Sequence, residues 1–104
     1  MLLKFVGGGY RKMQVNLVRP QKGHLFHRLG ELDVNMEWSL KELRHKLNKE
    51  FKNVRELKDK RYVFIDSDFN NLVPHREEEI VVRNVFKSYV KVKILHGTGK
   101  HAWE

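Results

Sequence analysis

Ser39-Leu-Lys-Glu-Leu-Arg-His-Lys-Leu-Asn-Lys-Glu-Phe51 decides how this chain folds. Its apolar residues, Leu40, Leu43, Leu47 and Phe51, recur at spacings of three, four and four, which line one side of a helix. The spacing predicts a helix over about 39–52. Ser39 with Glu42 reads as a capping box, in which each side chain satisfies an orphan backbone donor at the helix start. The remaining positions, Lys41, Glu42, Arg44, His45, Lys46, Lys49 and Glu50, are assigned to water. A helix this amphipathic, with strand-like segments on both sides, needs a sheet to lie on.

Upstream, Met13, Val15 and Leu17 alternate with Gln14, Asn16 and Val18, the period of a half-buried strand. Arg19-Pro20-Gln21-Lys22-Gly23 punctuates a turn. A second strand reads through Phe26, Arg28, Gly30, Leu32 and Val34 on one face, with Leu29, Glu31 and Asp33 on the other. Gly30 weakens that strand and marks a place for a bulge. Met36 and Trp38 precede the cap, where an apolar residue staples the helix entry. Downstream, Arg61-Tyr-Val-Phe-Ile65 is rich in β-branched and aromatic residues and reads as an interior strand. Asp66 to Asn71 turns the chain, and Leu72-Val73 is a brief strand closed by Pro74. The pattern from Glu77 to Val85 does not choose between a short helix and a loop with a small strand. Tyr89-Val-Lys-Val-Lys-Ile-Leu95 alternates, with Val90, Val92 and Ile94 on one face. The organisation expected is an arm at 1–9, a domain at 10–96 and a tail at 97–104, and the class is α+β.

The chain has 104 residues and suits one domain. It has no cysteine, so disulfides and thiolate metal sites are excluded. Nothing approaches a transmembrane span of about 20 apolar residues, and a cytoplasmic, cytoskeleton-compatible location is expected. A formal charge of +8, from 21 Lys and Arg against 13 Asp and Glu, favours an acidic partner.

Sites of chemistry are sparse. There is no Gly-x-Ser-x-Gly, no phosphate-binding loop and no helical pair of carboxylates, so an enzyme is not expected. Asp66, Asp68, Asn70 and Glu77 follow an EF-hand-like spacing, but Asn71 stands where the sharp turn asks for glycine. An Asx-rich turn explains the same residues. The six histidines, at 24, 27, 45, 75, 96 and 101, lack zinc-ligand spacing. No metal and no cofactor are expected. Basic residues are mixed with acidic ones and lack a row of aromatics, which argues against nucleic acid. Trp103 has no core to join and suits contact with a partner or a second copy.

The order strand, strand, helix, strand, short strand, strand resembles the β-grasp of ubiquitin-like domains over roughly residues 12–95. Val34, Ser39, Leu40, Leu43 and Leu47 resemble ubiquitin's second strand, helix-capping hydroxyl and buried helix positions. Arg61 to Ile65 resembles its central strand, and Tyr89 to Leu95 its last. The resemblance implies a mixed sheet of four to five strands under one main helix. The end lacks the Gly-Gly of conjugated modifiers. Asp66, Asp68, Glu77 and Glu78 resemble the acidic loop of Phox-and-Bem domains, with Lys12 near the place of the partner's lysine. Arg11, Lys12, Arg19, Lys22, His27 and Arg28 resemble the basic surface of Ras-binding domains. The implied function is a non-catalytic interaction module whose basic face holds an acidic protein and whose acidic loop allows self-association. A cytoskeletal module of microtubule, centrosome or cilium, as in doublecortin-type domains, is the alternative, and nucleic-acid binding the second.

Overall fold

The computed structural model describes residues 9–19 and 25–95. Residues 1–8 of the arm expected at 1–9, the expected turn containing Lys22 and the expected tail with Trp103 lie outside the described residues. Five strands form one mixed sheet: β1 (Tyr10–Arg19), β2 (Leu25–Asn35), β3 (Tyr62–Ile65), β4 (Asn71–Leu72) and β5 (Tyr89–Ile94). Their spatial order is β2-β1-β5-β3-β4. β1 and β5 run parallel at the middle, whereas the β1–β2, β3–β5 and β3–β4 pairs are antiparallel. The one α-helix among the described residues, α1 (Leu40–Glu50), connects β2 to β3 and packs across the sheet.

α1 begins where the sequence places it. Ser39 accepts from the Glu42 backbone N–H at 3.2 Å, and Glu42 accepts from the Ser39 N–H at 2.9 Å. Both halves of the capping box are present. Leu40, Leu43 and Leu47 are fully buried, and Phe51 caps the helix end. They meet Met13, Val15, Val34, Phe64, Val90 and Val92 from the sheet. Each such leucine contributes about 1.5–3 kcal/mol relative to an exposed one. Trp38 packs against this core and edge-on against Tyr10, with centroids 6.0 Å apart.

β2 departs from its expected alternation. Val15 pairs with Gly30 but Asn16 pairs with Arg28, so one residue of β2 is extra. The bulge falls where Gly30 marks it, and it exchanges the faces on either side. Phe26 and Arg28 stand opposite Val18 and Asn16, and Glu31 and Asp33 opposite Gln14 and Lys12. All four therefore share the sheet face away from α1, whereas Leu32 and Val34 face the helix. Gly30 has φ +155° and its absent side chain is replaced by the Phe51 ring, 3.1 Å from where a Cβ would sit. Gly30→Ala should lower stability by about 1–3 kcal/mol through strain and crowding. A urea midpoint equal to wild type would show that the ring yields freely.

The undecided stretch resolves into two 3-10 turns, Pro74–Glu79 and Val82–Asn84. Its backbone laces onto the helix entry. The Leu40 N–H donates to the Ile80 carbonyl at 2.8 Å, and the Val82 N–H to the Trp38 carbonyl at 2.8 Å. The first of these bonds serves an N–H that a helix start otherwise leaves unmatched.

Candidate functional site

The basic residues picked from the sequence are spread over two faces by strand alternation. Lys12 and Arg28 lie on the face away from α1, and His27 lies on the helix side. Arg11 donates to the Lys87 carbonyl at 2.8 Å, and Arg19 ends β1 exposed. Lys12 is 3.4 Å from Asp33, Arg28 is 3.0 Å from Glu31, and His27 is 3.0 Å from Glu56. Pairs this exposed contribute about 0.2–1 kcal/mol, so a partner's carboxylates can replace them at small cost. A backbone hydrogen bond, followed by the bond to His27, outweighs partial desolvation and holds the Glu56 carboxyl below its ordinary value. The outer edge of β2 pairs with no strand among the described residues.

The four acidic residues have separate surroundings. Asp66 accepts from the backbone N–H groups of Asp68 and Asn70, both at 2.9 Å, and closes its own Asx turn. Phe69 sits in that turn at φ +64°. Asp68 is exposed, and Glu78 meets Lys41 at 3.0 Å. Glu77 is only 2 % exposed and receives two bonds from Arg44, at 2.9 Å each. The EF-hand-like spacing therefore does not bring its oxygens around one point. Among the described residues, no group of three or more His, Cys, Asp or Glu is arranged to hold a metal ion.

Arg44 itself corrects the sequence reading, which assigned it to water. It follows Leu43 and stands at the border of the buried stripe, where its stem lies across β3. Its guanidinium is 4.4 Å from the Tyr62 ring centroid and also donates to the Tyr62 carbonyl at 2.9 Å. Arg44, Glu77 and Tyr62 thus tie α1, the first 3-10 turn and β3 together. Burial raises the Tyr62 hydroxyl to about 12, Arg44 opposes that rise, and Glu77 adds to it. The folded value lies above the unfolded 10.0, so this contribution to stability is full below pH 10 and lost as pH climbs toward 12. Stability of wild type should fall over that window by more than that of Tyr62→Phe, as read by urea titration. Equal pH dependence would contradict the assignment.

Sequence reasoning missed a second set of groups, one exposed ring and two half-buried lysines. Tyr89, Lys91 and Lys93 alternate with buried Val90 and Val92, so they face away from α1. Phe26 and Phe69 stack there with centroids 6.3 Å apart, and Lys91 Nζ lies 5.9 Å from the Phe69 centroid. The alternation in Tyr89 to Leu95 was the available signal for the lysines; the ring pair joins residues too far apart in sequence to be seen. A groove of about 490 Å³ opens at the other end, lined by Phe51, Leu57 and Tyr62 with Lys52, Lys58 and Lys60 at its rim.

No described helix is long and apolar enough to cross a membrane. Comparisons with family models, curated proteins and solved structures found no match to this chain.

Proposed function

We propose that this chain is a non-catalytic, ubiquitin-like protein-interaction module of the cytoplasm that holds an acidic protein partner along its β1–β2 hairpin. The observation that carries the reading is the arrangement of that hairpin. An 11-residue edge strand lies beside exposed Arg11, Lys12, Arg19, His27 and Arg28. An open edge offers backbone groups to a partner strand, and exchangeable cations select for negative charge. The strand order, with parallel β1 and β5 flanked by antiparallel neighbours, supports the β-grasp expected from the sequence. The inward-turned Glu77 removes one of the four residues on which head-to-tail self-association through an acidic loop would draw.

Binding of a fluorescein-labelled peptide of glutamate and serine to the full chain tests the reading. Reversal of Arg11, Lys12 and Arg19 to glutamate should weaken binding roughly tenfold or more, with far-UV circular dichroism unchanged. Raised salt should weaken wild-type binding in the same direction. An affinity that ignores both charge reversal and salt would overturn the reading.

A further inference from the structure

We propose that the sheet face away from α1 is the contact surface for an acidic polypeptide segment carrying a large apolar side chain. This inference rests on the reading of the chain as an interaction module, and it names residues outside the hairpin set. The face has an unusual composition for a surface. Phe26 is 51 % exposed, Phe69 36 % and Tyr89 49 %, which makes three of the four large apolar side chains exposed among the described residues. On this face Val18, Val63 and Ile65 form a small core of their own, separate from the one under α1, with Leu95 packed against it and Phe26 in register with Val18. Phe26 therefore stands beside a packed apolar patch, where a further apolar group adds to existing burial.

Charge decides the kind of occupant. Lys12 and Arg28 on this face have carboxylates of their own in Asp33 and Glu31. Lys91 and Lys93 have none within ion-pair distance among the described residues, although they stand on β5, in the interior of the sheet. Lys93 pairs in register with Val63, and Lys91 with Asn16. Positive charge without a carboxylate among the described residues thus sits beside the small core at Lys93 and beside the Phe69 ring at Lys91. Carboxylates spaced around one apolar side chain match that layout: the side chain lies against Phe26, and the acids meet Lys91 and Lys93. A nucleic-acid strand fits less well, because a phosphodiester chain carries a charge at every nucleotide and this face offers it only two lysines without a carboxylate of their own among the described residues.

The two surfaces divide the work of binding. Hairpin cations attract the segment from a distance and set its association rate, whereas the ring and lysine contacts hold it and set its dissociation rate. The test uses the full chain and three labelled probes: a peptide alternating glutamate with phenylalanine, the glutamate–serine peptide of equal charge, and an oligothymidylate. The glutamate–phenylalanine peptide should bind several-fold tighter than the serine peptide. Lys91→Glu with Lys93→Glu, and separately Phe26→Ala, should each raise its dissociation rate several-fold. Reversal of Arg11, Lys12 and Arg19 should chiefly slow its association. Equal affinity for the two peptides, or dissociation unchanged in both variants, would overturn this inference while leaving the hairpin reading standing. Tighter binding of oligothymidylate, weakened by the same lysine reversal, would overturn it in favour of a nucleic-acid surface. Indifference of both peptides to every reversal would remove the hairpin reading as well.

Discussion

Glu77→Ala should cost the fold about 3–5 kcal/mol, the largest loss expected of any change to a charged residue here. The carboxylate is nearly inaccessible and takes two bonds from Arg44, whose guanidinium is itself held against Tyr62 and Phe64. Removing it leaves a cation in a place that water reaches poorly, and the desolvation already spent on Arg44 is no longer offset. The same reasoning says that the pair is a weak net stabiliser, since an apolar pair of similar volume avoids desolvation altogether. Arg44→Met with Glu77→Leu should therefore recover most of what Glu77→Ala loses. Urea unfolding of the two single variants and the double variant separates these effects. A Glu77→Ala loss below about 1 kcal/mol would mean that the pair is solvated as a surface pair is.

Phe64→Ala should cost a similar amount, about 3–5 kcal/mol, by a different mechanism. Phe64 is fully buried in β3, with Tyr62 and Phe86 edge-on at 6.0 and 5.9 Å. It lies on the sheet face that meets the leucine stripe of α1. Truncation removes apolar surface and leaves a cavity that strands on both sides hold open, because β3 is paired to β5 and β4. Phe69→Ala, in the exposed turn, should cost far less in the same urea titration. Comparable losses at the two positions would contradict the placement of the core.

The helix and the two central strands were readable because each buries a face with a regular period. Leu40, Leu43 and Leu47 carry the helical spacing, and Met13, Val15 and Leu17, like Val90, Val92 and Ile94, carry the alternating one. β2 was readable as a strand but not in register. Its bulge changes the facing of Phe26 and Arg28, and no pattern of residue types announces on which side an extra residue falls. The stretch from Pro74 to Val85 lacked a period because its role is to satisfy the backbone of the helix entry through its own carbonyls and amides.

The site was harder to read than the fold. Lys12 and Arg28 could be named as basic, but their pairing with Asp33 and Glu31 depends on cross-strand neighbours. Arg44 and Glu77 are 33 residues apart, so their mutual burial is a property of the tertiary structure alone. Phe26 and Phe69 belong to an edge strand and a distant turn, and only the tertiary structure brings their rings together.

The most direct test of the account is where an acidic ligand touches the molecule. Backbone amide shifts of the full chain, followed by NMR during titration with the glutamate–phenylalanine peptide, locate that contact. The account predicts perturbations concentrated on β1, β2 and β5, around Lys12, Phe26, Arg28, Lys91 and Lys93. Perturbations centred on the outer side of α1, around Lys41, His45 and Lys49, would contradict it, as would saturating peptide that moves no amide in the sheet.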